Sequence, residues 1–193
     1  ARQVQLLPPA ASLMTGRTKN GVSQLAIETA LRFNNKLWVF DINAKQLKSL
    51  LDHSVSSLRS RGQFPQVAGM SFSYDPTGQP QIVTDGVVTQ AGQRIRTLRV
   101  ADELIVRNGQ LSVEEQRTFK IVSTDFLAGG GDAYPFPPFL PNLVQLDKER
   151  LVAGNSTFAD SGSEQDALAE YLATFHSSPD KAYAEPETNE ASD

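Results

Sequence analysis

The stretch TDFLAGGGDAYPF, residues 124–136, sets three consecutive glycines between Phe126 and Asp132 and follows them with Tyr134 and Phe136. Such residues suit binding more than bond breaking. A glycine run lets the backbone approach a ligand closely, a phenylalanine offers a flat apolar face, and an aspartate accepts hydrogen bonds from hydroxyls or base N–H groups. The same residues also make a tight turn whose rings are simply core, and on physical grounds both readings stand open. Residues for covalent or metal chemistry are scarce. The two histidines, His53 and His176, have no second histidine or carboxylate at ligand spacing and read as structural or exposed. HExxH, GxSxG and GxxxxGK[ST] patterns are absent, and the single GGGD run does not make a calcium-binding repeat, which needs stacked copies. With no cysteine, disulfides, thiolate metal sites and thiol nucleophiles are excluded. No catalytic or metal-ligating residue is assigned to the chain itself.

Composition narrows the field further. With 193 residues, 39% of them hydrophobic and 21% charged, the chain is long enough to bury a core and is expected to form one domain over 1–176. Residues 177–193 are polar, acidic and proline-containing, which suits a tail or linker. The net charge of −4 and the lack of any Lys/Arg cluster argue against a nucleic-acid polymer or an anionic membrane as partner. No apolar run approaches the roughly 20 residues that span a bilayer, so no membrane insertion is expected. The N-terminal ARQVQLLPPAASLM lacks the basic region and long apolar core of a signal peptide.

The elements that must carry the glycine turn are legible in outline. VQLL at 4–7 reads as a short strand stopped by Pro8 and Pro9, and Ser23 as the N-cap of a helix over QLAIETAL. KLWVFDI, 36–42, is apolar on both faces, as a central strand is. The following segment sets Leu47, Leu50, Leu51, Val55 and Leu58 on one helical stripe. Met70, Phe72 and Tyr74 alternate with serines as in a strand with one wet face. QIVTDGVV, RIRTLRVAD and the strand RTFKIVST, 117–124, continue the pattern, and Asn108-Gly109 turns a hairpin. Ser163 and Asp166 resemble a capping box, and Leu168, Tyr171, Leu172 and Phe175 form an apolar stripe through which a last helix is expected to dock. Interleaved strands and helices without strict alternation predict an α+β or α/β fold with a mixed sheet.

TFKIVSTDFLAGGGDAYPF resembles the C-terminal domain of the 5'-nucleotidase family, in which a strand leads to a phenylalanine, a Gly-Gly-Asp-Gly turn and an aromatic. Three further segments are similar to that family in the same order: ALRFNNKLWVFDINAKQLKSLLDHSVS, GQFPQVAGMSFSYDPTG and DSGSEQDALAEYLATF. Together they cover most of residues 22–176. The resemblance extends to UDP-sugar hydrolases and 2',3'-cyclic phosphodiesterases of the same family and implies an α+β domain with a mixed β-sheet and packed helices.

The resemblance also implies a function and a set of site residues. Family enzymes pair an N-terminal metallophosphoesterase domain, which holds two divalent metal ions, with a C-terminal domain that grips the nucleoside between two phenylalanines. Phe33 and Phe126 match those two rings, Asn35 the turn asparagine, and Asp132 the residue that holds the ribose hydroxyls. Gly69, Gly130 and Gly131 join the implied substrate-binding set. Two rings on opposite faces of a base would contribute about 1 to 3 kcal/mol each, and they are expected to face solvent about 7 Å apart, twice a stacking distance. Departures from the family pattern are specific. Met14 stands where the family's Asn-Gly-Gly-Gly-Ile-Arg ends in a substrate-binding arginine, Arg32 replaces a turn proline, and Ala133 replaces a glycine. Arg17 and Arg32 are candidates to supply the missing guanidinium. A nucleotide, a nucleotide sugar, a cyclic nucleotide or another phosphoester would suit such a site. The family's metal motifs are absent from these residues. The chain is therefore expected to be the binding portion of a longer periplasmic or extracellular phosphoesterase. The alternative is a non-catalytic module of a larger secreted protein in which Phe33 and Phe126 are core rings.

Overall fold

A computed structural model describes residues 4–7, 22–57, 62–149, 156 and 158–177. In chain order the elements are β1 (Val4–Leu7), α1 (Gln24–Ala30), β2 (Leu37–Asn43), α2 (Ala44–Ser54), β3 (Gln66–Ala68), β4 (Met70–Tyr74), β5 (Ile82–Thr84), β6 (Val87–Gln90) and β7 (Ile95–Val100). They continue with β8 (Glu103–Arg107), β9 (Gln110–Leu111), β10 (Thr118–Thr124), α3 (Asp125–Ala128), β11 (Val144–Gln145), α4 (Leu146–Glu149) and α5 (Glu164–Phe175). A five-stranded sheet runs β11-β2-β10-β1-β3, and β1 pairs parallel to β10 while its other pairs are antiparallel. A four-stranded antiparallel sheet, β4-β7-β8-β9, and the β5-β6 hairpin complete the strands. The architecture is the expected α+β class with a mixed sheet.

β2 is central because both of its faces are apolar. Phe40 and Ile42 enter the main core with Leu47, Leu50 and Leu51 of α2, Ile95 and Leu98 of β7, Ile105 of β8 and Ile121 of β10. Leu37 and Val39 point the other way and pack with Val122, Val144 and Leu146. A strand covered on both sides has no room for a polar face, which is why its sequence does not alternate.

α2 opens with a capping box in which Asn43 and Gln46 bond each other's backbone N–H. Its far end is pinned by a buried carboxylate. Asp52 accepts from the N–H groups of Arg94 (2.9 Å) and Ile95 (3.0 Å) and from the Lys48 ammonium (2.6 Å). The Arg94 guanidinium returns to the carbonyls of Val55 (2.6 Å) and Ser56 (2.9 Å), satisfying acceptors that the last turn of a helix leaves open.

The structure corrects the sequence reading in several places. QIVTDGVV is two strands, because Asp85 and Gly86 both adopt positive φ (51° and 75°), the geometry of a tight hairpin turn. α2 ends at Ser54, with Val55 as a buried C-cap, while Leu58 lies outside the described residues. The last helix does not dock through its apolar stripe: Tyr171 and Phe175 are exposed, and Glu164, Gln165 and Asp166 are buried instead. The reason is that α5 is fastened by polar bonds at its N-terminal turn, where Gln165 donates to the Leu31 carbonyl and Asp166 accepts from the Gly162 N–H. On the later turns Leu168 and Leu172 are half-buried, and the helix neighbours α1. Of residues 177–193, read as a tail or linker, all but Ser177 lie outside the described residues.

Candidate functional site

Strands β2 and β10 pair over their full length, with Leu37 opposite Thr124 at one end. The candidate site is built there. The Asp125 N–H donates to the Lys36 carbonyl (2.9 Å) and the Asp125 carboxylate accepts from the Lys36 N–H (3.0 Å). Asp125 also opens α3, whose N-cap is the Thr124 hydroxyl. These bonds tie the segment carrying Phe33 and Asn35 to the segment carrying Phe126, across a sequence separation that no local pattern reveals.

Phe33 follows α1 in a turn and is 71% exposed, with the Arg32 guanidinium 4.9 Å from its ring centre. Phe126, in α3, is 51% exposed. Both rings face solvent, and no ring contact joins the two among the described residues. Asn35 is half-buried and held by Glu164 of α5, whose Oε1 accepts from the Asn35 N–H (3.2 Å) and Nδ2 (3.4 Å).

The glycine turn is placed differently from a simple strand-to-loop exit. One helical turn, α3, intervenes, and the Gly129 and Gly130 N–H groups donate to the carbonyls of Asp125 and Leu127. Those two donors are therefore occupied rather than offered to a ligand. The glycines serve two other needs. Gly130 takes φ 92°, and Gly131 lies directly against Phe126, so that a Cβ there would sit 2.6 Å from the ring carbons Cε1 and Cζ. Gly131 is what lets the Phe126 ring lie against the turn. Asp132 and Ala133 follow with φ 52° and 58°, a left-handed pair of non-glycine residues that costs about 1–2 kcal/mol each. Of the three rings in this stretch, Tyr134 and Phe136 belong to the core, as the tight-turn reading has it, and Phe126 is exposed.

His53 holds the turn from below. It is buried on α2, its Nε2–H donates to the Asp132 carbonyl at 2.9 Å, and its ring meets Tyr134 edge-on at 4.9 Å. Burial lowers its pKa, which keeps the imidazole neutral. The Tyr134 hydroxyl donates to the Gln63 carbonyl, and burial pushes that phenol well above its ordinary range, with the nearby Asp132 charge adding to the effect. The reading of His53 as structural holds, but its partner is a candidate binding residue, which its sequence neighbours could not show.

Two clefts flank the turn. One, about 440 Å³, is of mixed polarity and lined by His53, Ser56, Gln63, Ile82, Val83 and Asp132. The other, about 830 Å³, is apolar and lined by Trp38, Val87, Gly130, Phe136, Phe139 and Leu143. Phe33 and Phe126 line neither. Gly69 is not gathered at this end: it takes φ 76° where the chain passes from β3 in one sheet to β4 in the other, and its carbonyl accepts from the Ala101 N–H. Met14 and Arg17 lie outside the described residues. Among the described residues no group of three or more His, Asp or Glu side chains could hold a metal ion, and no helix is long and apolar enough to cross a membrane. A two-metal centre does not fit these residues. Asp125 and Glu164 are site-building residues that sequence reading missed; Asp125 sat beside the singled-out Phe126, and Glu164 beside a recognisable cap.

An α+β domain with a mixed sheet, two exposed rings and an acidic glycine turn at the shared end of its central strands belongs to the class of domains that present a loop-built site on a rigid sheet. Residues 11–138 match the family described as 5'-nucleotidase, C-terminal domain. The chain belongs to that family. It is similar to the snake venom 5'-nucleotidase of Crotalus adamanteus, 30% identical over 141 residues that make up 72% of this chain and 21% of that protein. It also resembles the trifunctional nucleotide phosphoesterase protein YfkN of Bacillus subtilis (strain 168), 24% identical over 63% of this chain and 8% of that protein. The fold is similar to the crystal structure of a 5'-nucleotidase precursor from Thermus thermophilus, with a TM-score of 0.59 and 22% identity over 88% of this chain and 28% of that one. The chain thus spans less than a quarter of the length of either of the first two relatives.

Proposed function

We propose that this chain is the nucleoside-binding portion of a 5'-nucleotidase-type phosphoester hydrolase. The observation that carries the reading is the exposure of Phe33 and Phe126, 71% and 51%, on segments that the Lys36–Asp125 bonds hold together. Large rings left in water are poor core residues and good stacking surfaces for a base. The reading of both rings as core of a non-catalytic module has no such support. Asp132, on the smaller cleft, would accept from ribose hydroxyls, and Arg32 beside Phe33 would supply positive charge for a phosphate.

The bonds of the phosphoester would be broken elsewhere. An N-terminal metallophosphatase domain with two divalent ions is the partner this reading requires, and this chain's part is to bind and orient the substrate. A periplasmic or extracellular setting suits the reading, given that relatives include snake venom proteins.

Titration of the 193-residue chain with adenosine, AMP and a UDP-sugar, followed by NMR shifts of the Gly129–Gly131 amides, tests the proposal. Expected are shifts with adenosine that are lost in Phe126→Ala, and at least about fivefold weaker binding in Phe33→Ala, about 1 kcal/mol for one stacked ring. Shifts that persist unchanged in both variants would overturn it.

A further inference from the structure

Glu164 is the first residue of α5 and only 4% exposed, although it carries a carboxyl group. Its Oε1 accepts both donors of one residue, the Asn35 N–H at 3.2 Å and Nδ2 at 3.4 Å, while its own N–H donates to the Asn35 carbonyl at 2.9 Å. Its Oε2 is buried with no partner among the described residues. Half of this carboxyl group is therefore unsatisfied, an arrangement that is costly for folding and that is kept where something else requires it. Burial raises its pKa, and the Asp125 charge adds to that. The bonds to Asn35 survive in either protonation state, because a proton would sit on Oε2 and leave Oε1 as the acceptor.

The consequence falls on Asn35. A side-chain amide has a donor end and an acceptor end, and an isolated one can flip. Only the donor end can face Glu164 Oε1. The Asn35 Oδ1 is then the end left over, and it has no protein donor among the described residues. We propose that Glu164 is a positioning residue that locks the Asn35 amide with its oxygen toward the ligand, so that the site prefers bases bearing an N–H donor. This deepens, and rests on, the nucleoside-binding reading. A stacked ring reads every base alike, whereas a fixed acceptor distinguishes them.

Adenosine and purine riboside separate these effects, since they share a ring system and a ribose and only adenosine carries an N–H on the base. Dissociation constants for both are measured on the 193-residue chain by NMR titration. The wild type is expected to favour adenosine by about threefold to tenfold, the range of one net hydrogen bond. Glu164→Ala should bring that ratio to about one by freeing the amide to flip. Glu164→Gln, which keeps an acceptor, should retain most of the preference. Asn35→Ala should abolish it, and serves as the deciding variant if Glu164→Ala does not fold. A wild-type ratio of one, or a ratio unchanged in Glu164→Ala or Asn35→Ala, overturns the assignment while Phe126-dependent binding of both ligands leaves the nucleoside reading intact. Binding of neither ligand overturns both.

Discussion

At the level of single residues, the site depends on groups chosen for what they do to their neighbours. Gly131 has no side chain so that Phe126 can rest on it, and His53, kept neutral by its own burial, donates its Nε2–H to the carbonyl of the strained Asp132. That neutrality has a pH signature. The folded-state pKa of His53 lies below its ordinary value of about 6.5, so the unfolded chain binds the extra proton first. Its contribution is fully present above about pH 6.5 and is lost as pH falls through the folded value. Glu164 acts in the opposite sense, because its raised pKa favours the folded state at low pH and that contribution fades as pH rises through the folded value. Thermal melts of the wild type and of His53→Gln, which keeps a donor to Asp132 and does not titrate, separate the two. Between about pH 7.5 and pH 5.5, on either side of the ordinary histidine value, the wild type should lose more stability than the variant. Parallel losses would mean that His53 does not carry the dependence.

Among the elements, α2 is the part that connects core to site. Its apolar stripe enters the core, its last turn is pinned by Asp52 and Arg94, and His53 lies one residue beyond that pin. Asp52→Ala would leave the Arg94 and Ile95 N–H groups without their acceptor and should cost about 2–4 kcal/mol in urea unfolding. Asp52→Asn keeps an oxygen for those donors and should cost at least about 1 kcal/mol less. Equal losses would show that the Lys48 ion pair, rather than backbone satisfaction, is what Asp52 provides. The His53-containing end of α2 should move in Asp52→Ala, with shift changes at the Gly129–Gly131 amides.

Elements were also where reading the sequence succeeded and failed most clearly. The two-faced strand β2, the Ser23 and Ser163 caps and the Asn108-Gly109 hairpin followed from local rules, because each is decided by residues within one turn or one strand of each other. The docking of α5 did not. Its apolar stripe pointed to Leu168, Tyr171, Leu172 and Phe175, yet the burial went to Glu164, Gln165 and Asp166, because those residues met Asn35, Leu31 and Gly162 across the fold. A period of 3.6 identifies a helical face and not what covers it.

For the molecule as a whole, the proposed reading gives binding to this chain and hydrolysis to another domain. The 193-residue chain incubated with AMP and Mn²⁺ or Zn²⁺ is expected to release no phosphate above the metal-only control, while retaining adenosine binding. Phosphate release that vanishes in a Phe126→Ala variant would overturn the assignment of catalysis to another domain.

Linear reading was enough for the class of fold, the central strand, the glycine turn and, through ordered motif similarity, the family. These properties rest on local periodicity and on residue types in fixed order, which a sequence preserves. It took the folded chain to bring Phe33 and Phe126 to one end of the same strand pair, to set His53 beneath Asp132, and to close a half-satisfied Glu164 on Asn35. Those relations join residues about 80 to 130 positions apart, and contacts at such separations are fixed by how the sheet pairs and where the core closes, which no local pattern encodes.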